Sequence, residues 1–223
     1  MDYVSQLEEE FLKHADRNIA QKQKAYLKDK FQLFGLPTPL RKEAQKPFLI
    51  KENLPEKSEL SKITKELWEK PQREFHYFVI DLNRMYLKKI EKQDIELFEF
   101  MITQNSWWDT VDLIATNLVG GYFKLYPNEI NSITDKWMKS ENIWLQRTCL
   151  IFQLKYKENI NTELLNRFIL PLIGTDEFFI NKAIGWILRE YTRTNPEWVI
   201  KFVEKHDKEL SNLSKREALK LIS

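Results

Sequence analysis

Apolar residues recur along most of this chain at i, i+3, i+4 and i+7, the spacing that gathers them on one face of an α-helix. The pattern breaks at Gly35 to Pro39, Asn53 to Pro55, Pro71, Pro127, Gly174 and Asn195-Pro196, where glycine frees the backbone or proline removes its donor. Roughly a dozen helices are therefore predicted. Two starts carry the signature of a capping box, Ser106-Trp107-Trp108-Asp109 and Ser214-Lys215-Arg216-Glu217. There a hydroxyl and a carboxylate satisfy orphan backbone donors reciprocally, which assigns Asp109 a structural task.

The segments that follow successive breaks, REFHYFVIDLNRMY, WWDTVDLIATNLV, WLQRTCLIFQLKYK, FINKAIGWILREY and SKREALKLI, read as degenerate copies of one unit. Laid over one another, they bring His76, Asp112, Arg147, Lys182 and Arg216 into register, about 35 residues apart. That period belongs to helical-pair repeats, whose second helices line one concave groove when the pairs stack. The expectation is an all-α helical-repeat solenoid forming a single domain over residues 1–223. A bundle of antiparallel helices is the alternative that the same amphipathic periodicity allows.

Composition narrows the picture further. Five glycines and eight prolines in 223 residues leave little material for sheet turns. A net charge of +2 is no argument for a nucleic-acid partner unless the cations share a face. One cysteine, Cys149, excludes an internal disulfide and fits a reducing compartment. The acidic start, MDYVSQLEEE, lacks an apolar export signal, and no run approaches the ~18 apolar residues of a membrane span. A cytoplasmic monomer, away from the membrane, is expected. His14, His76 and His206 are scattered and offer no metal-ligand spacing, so neither metal nor cofactor is expected. No phosphate loop or acyl-transfer triad is present either.

Candidate chemistry lies on three helices. Trp108 and Asp112 are four residues apart and share a face, so an indole stands beside a carboxylate; a core tryptophan next to a solvated acid would give the same spacing. Arg147, one repeat after Asp112, suits either a phosphate or an inter-repeat salt bridge to that acid. Lys155 follows two turns on. In the third helix Lys182, Trp186, Arg189 and Arg193 form a stripe at i, i+4, i+7 and i+11, while Ile184, Ile187, Leu188 and Tyr191 supply the core face. An exposed tryptophan among cations is a platform for a sugar or base beside phosphates, or an indole laid across a repeat junction.

These motifs, SWWDTVD at 106–112, NIWLQR at 142–147, LKYK at 154–157, FFINKAIGWILREY at 178–191 and LSKREA at 213–218, resemble those of the AlkD-type DNA alkylation repair glycosylases. LFGLPTPLRK near the start and ELWEKPQREF at 66–75 extend the resemblance over nearly the whole chain. It implies a HEAT-like repeat fold whose groove holds duplex DNA, and excision of N3- and N7-alkylated purines without a cofactor. By position, Trp108 and Trp186 resemble the aromatic walls against the deoxyribose, Asp112 the catalytic carboxylate and Arg147 a backbone clamp. Arg189, Lys155, Tyr26 and Thr38 are similar to further phosphate contacts, to which the stripe adds Lys182 and Arg193. Pro37 departs from the family pattern, which has a glutamine near the duplex there.

The implied chemistry suits one carboxylate. A cationic purine leaves as a neutral base without a general acid, unlike an O-glycoside, which needs its leaving oxygen protonated. A helical-repeat module that binds damaged or branched DNA without catalysis is the rival reading of the same cations.

Overall fold

A computed structural model of the chain describes residues 2–222, and among these it is helical throughout, with one isolated parallel bridge between Gln32 and Gln72 as its only extended pairing. The chain forms two compact units, Met1–Ile90 and Glu91–Ser223. The first contains α1 (Tyr3–Lys13), α2 (Arg17–Tyr26), α3 (Thr38–Gln45), α4 (Lys57–Glu69) and α5 (Arg73–Met85). The second contains α6 (Asp94–Thr103), α7 (Trp108–Leu113), α8 (Gly120–Leu125), α9 (Ile130–Lys139), α10 (Ile143–Ile151), α11 (Thr162–Ile169), α12 (Phe178–Thr192), α13 (Pro196–Lys205) and α14 (Asn212–Ala218). None of the predicted breaks falls in a helix interior: Thr38 and Pro39 lie in the first turn of α3, Pro196 opens α13, Pro127 opens and Asn53 ends a short 3-10 turn, and the others lie between helices.

In the first unit the long connection between α2 and α3 is held by a buried acid. Glu74 accepts from the backbone N–H groups of Phe34, Gly35 and Leu36 at 2.9–3.2 Å, satisfying donors that no helix or strand takes up. Gly35 sits at φ +90°, and a side-chain carbon there would lie 2.0 Å from the carbonyl oxygen of Asp16, so this turn requires glycine.

In the second unit the repeat is written in hydrogen bonds. Trp137 donates to Glu99 across 38 positions, Tyr156 to the Gly120 carbonyl across 36, Arg167 to Asn131 across 36 and Arg147 to Asp112 across 35. Each bond ties a segment of one helical pair to its counterpart one pair earlier, as stacked helical pairs require. The core between them holds Val111, Ile114, Cys149, Ile184, Ile187 and Leu188, all fully buried. Burial raises the Cys149 thiol well above its ordinary pKa, which makes this residue a packing element and not a nucleophile.

The expected capping boxes do not form. Ser106 lies outside α7 and its hydroxyl donates back to the Ile102 carbonyl at 2.6 Å, while Trp107, in extended conformation, stands at the N-cap without a side-chain cap. At the C-terminal helix the cap is Ser211, not Ser214. Ser214 lies one turn inside α14 and donates to the Asn181 carbonyl of α12, and Glu217 faces inward. In both cases a tertiary or preceding-turn carbonyl outcompetes the local backbone donor for the hydroxyl.

Candidate active site

α7 begins at Trp108 and places Trp108 and Asp112 one turn apart. The two adjacent tryptophans divide their work. Trp107 packs against Trp144 and Phe179, with ring centroids 5.7 and 5.0 Å away, so aromatic residues of three successive repeats form one cluster. Trp108 turns instead to an open cavity of ≈ 350 Å³, lined by Trp108, Asp112, Arg147, Phe178, Phe179, Lys182, Trp186 and Arg189. After Asp112 the chain widens into a π-helical stretch, Ile114–Val119, before α8 resumes. Thr116 donates to the Asp112 carbonyl at 2.8 Å within that stretch. Such stretches break the ordinary register directly beside functional residues in many helices.

Asp112 is nearly buried, and its carboxylate receives a bidentate pair from Arg147, Nε to Oδ1 at 2.7 Å and Nη2 to Oδ2 at 2.8 Å. The remaining terminal nitrogen of Arg147 donates to the Phe179 carbonyl in the first turn of α12. One guanidinium thus ties α7, α10 and α12 together. Burial raises the Asp112 pKa above its ordinary value, Arg147 opposes the shift, and Asp109 adds to it by charge repulsion.

On α12, Lys182 and Arg189 flank the half-buried Trp186, as their spacing predicts. Both cations are held by one carboxylate. Lys182 Nζ donates to Glu217 Oε1 at 2.7 Å, and Arg189 donates to Oε2. Glu217 is 35 positions after Lys182, so the register residue of the last helix is Glu217 and not Arg216, which is exposed. The step from Lys182 to Arg216 is 34 residues, one short of the 35 that joins Arg147 to Asp112 and Glu217 to Lys182.

The other expected residues are placed elsewhere. Arg193 follows the last turn of α12, is exposed, and pairs loosely with Glu190 at 3.4 Å. Lys155 ends a short turn, Phe152–Lys155, and donates to Asn117 in the π-helical stretch. Tyr26, 67% exposed, closes α2, and Thr38 opens α3 behind Pro37, both within the first unit. Spacing alone does not single out Phe178 and Phe179, and it marks Glu217 only as the acid of a capping box. The FF pair preceding INKAIGW and the 35-residue step from Lys182 were the available signals. Among the described residues no three His, Cys, Asp or Glu side chains cluster as a metal site would require, and no helix is long and apolar enough to cross a membrane.

The DNA alkylation repair enzyme family matches residues 7–222, and the chain belongs to that family. Solved structures similar to it include a predicted DNA alkylation repair enzyme from Enterococcus faecalis, 33% identical, with a TM-score of 0.86 over 94% of this chain and 97% of that one. No curated protein matches.

Proposed function

We propose that this chain is a monofunctional DNA glycosylase that hydrolyses the N-glycosidic bond of cationic N3- and N7-alkylated purines in duplex DNA and leaves an abasic site. The observation that carries the reading is the Asp112 carboxylate, fixed by Arg147 in a cavity with Trp108 and Trp186 among its walls. The bond from C1′ to the purine breaks with its electron pair going to the base, which leaves neutral. Positive charge then develops on the deoxyribose, where a preorganised carboxylate stabilises it without reorganisation cost. The bidentate pair takes about two of the carboxylate's four lone-pair sites and leaves capacity to orient a water. That water adds to C1′ and releases its proton to solvent. The indoles add cation–π attraction for the same charge.

The cavity is open, which suits a sugar approached from the backbone side without extrusion of the base into a fitted pocket; selectivity then rests on the lability of the cationic lesion. Arg147 is engaged by Asp112 and Phe179 and, unlike the cations of the stripe, its side chain is only 3% exposed. The phosphates are therefore assigned to Lys182, Arg189, Arg193 and Lys155, with Tyr26 and Thr38 as further contacts, and affinity should fall as salt rises.

The test is release of 7-methylguanine from methylated duplex by wild type and Asp112→Asn. Wild-type release with a loss of ~100-fold or more in the variant is expected for removal of a preorganised electrostatic group. DNA binding without any release would favour the non-catalytic module, and undiminished release by the variant would remove Asp112 from the mechanism.

A further inference from the structure

Lys182 and Arg189 stand on the stripe that the proposed function assigns to phosphates, yet a carboxylate lies against both. For an anion-binding surface this is a cost, because Glu217 cancels part of the attraction that the two cations provide. The fold nevertheless takes trouble to put it there. Gly185, between the two cations on α12, has no side chain, and a Cβ at that position would lie 2.6 Å from the Glu217 Cβ and 3.0 Å from the Ser214 carbonyl oxygen. Only glycine lets α14 come this close. Ser214 then fixes the approach, its hydroxyl donating to the Asn181 carbonyl at 2.8 Å, and Ser211 caps the helix that carries Glu217.

We infer that Glu217 is a positioning residue: its two carboxylate oxygens hold Lys182 and Arg189 at a fixed separation on either side of Trp186, so that both meet the DNA backbone already ordered. The inference rests on the assignment of this stripe to phosphates. Lysine and arginine are long and rotamer-rich, and ordering them on binding would otherwise be charged against affinity. The pairing occupies one of the three donors of a lysine and one of the five of an arginine, so the cations remain able to donate to a phosphate. Exposure agrees, since the Lys182 and Arg189 side chains keep 39% and 24% of their surface while Glu217 keeps 10%. The Lys182 hydrogen bond, reinforced by the charges of Lys182, Arg189 and Lys220, holds the Glu217 carboxyl below its ordinary value of 4.5, so it is ionised at neutral pH.

The two possible roles of this acid predict opposite signs. Glu217→Gln removes a negative charge beside the phosphates. If Glu217 were a bystander, the variant would bind DNA more tightly. If it positions the cations, the variant binds more weakly by about fivefold, the scale of ordering one or two long side chains, despite its extra positive charge. Glu217→Asp keeps the charge and withdraws the carboxylate by one methylene; it also weakens binding under the inference and changes nothing if charge alone matters.

The experiment is fluorescence anisotropy of both variants and wild type with a labelled, undamaged duplex over a range of salt, followed by KM and kcat on the 7-methylguanine duplex. Weaker binding by both variants, a shallower salt dependence, and a loss carried by KM with kcat retained are the expected results. Equal or tighter binding by Glu217→Gln, or unchanged binding by Glu217→Asp where the glutamine variant does not fold, overturns the inference and leaves the proposed function standing. Wild-type protein that fails to bind the duplex overturns the proposed function first.

Discussion

Arg147 and Asp112 lie 35 positions apart in the chain and are joined by two parallel hydrogen bonds, at 2.7 and 2.8 Å, with the arginine side chain 3% exposed. The same step recurs between Lys182 and Glu217 with the charges in opposite order. Each pair spans a repeat junction, so each performs two tasks, joining neighbouring helix pairs and holding a charged group beside the cavity. The first pair presents a carboxylate; the second presents cations.

Arg147→Met should separate these tasks. Removing one partner of a buried pair costs about 3–5 kcal/mol, because the other charge is left uncompensated. Arg147 is also what opposes the effect of burial on Asp112, so the carboxyl of the variant titrates still higher. Urea unfolding should show the lost stability, and the acid limb of the rate of base release should move to higher pH. An unmoved limb would mean that Asp112 ionisation does not limit the reaction.

Asp109→Asn should move the same limb the other way. Only the ionised form of Asp112 stabilises positive charge on the sugar, so release falls as pH drops through its pKa, which burial places above the ordinary 3.8. Asp109 raises that pKa by repulsion across one helical turn, and its neutral analogue relieves the repulsion. The pH–rate profile of the variant should therefore extend activity to lower pH. A shift upward, or none, would show that the two acids do not interact in the working enzyme.

Gly185→Ala is a case where magnitude decides sign. Alanine inside an exposed helix gains about 1 kcal/mol over glycine. Here the new Cβ would meet the Glu217 Cβ at 2.6 Å and backbone atoms of Ser214 at 3.0–3.1 Å, and overpacking of that kind costs about 1–3 kcal/mol. Net destabilisation in urea unfolding is expected. A stabilised variant would mean that α14 yields easily and that Gly185 serves no close approach.

Much of this architecture was legible in the sequence, because periodicity and breaks are local signals. The helices, the 35-residue step and the face shared by Lys182, Trp186 and Arg189 all follow from spacing, and Trp108, Asp112, Arg147 and Trp186 line one cavity. What was not legible is partnership. Ser106 and Ser214 carry the capping pattern, yet their hydroxyls donate to Ile102 and Asn181, and nothing in a four-residue window distinguishes those outcomes. The spacing of cations on α12 likewise does not reveal that Glu217, one repeat later, holds two of them. The sequence allows Arg147 either a phosphate or a salt bridge, and only three-dimensional placement shows its guanidinium engaged by Asp112 and Phe179.

The two site carboxylates should also differ in how they couple pH to stability, and the difference can be measured. Asp112 has a raised pKa in the fold, so protonating it favours the folded state. Glu217 has a lowered pKa, owing to the Lys182 hydrogen bond and the charges of Lys182, Arg189 and Lys220. A carboxylate of that kind contributes stability that is fully present above its unfolded value, near 4.5, and is lost as pH falls through the depressed folded value. Wild type should therefore exceed Glu217→Gln in urea stability at neutral pH, and the gap should close as pH is lowered well below 4.5. The closure isolates Glu217, since the remaining titratable groups are common to both proteins. A gap that is constant across this range would mean that the amide loses only packing or hydrogen bonding, and that the ion pairs with Lys182 and Arg189 contribute nothing to the fold.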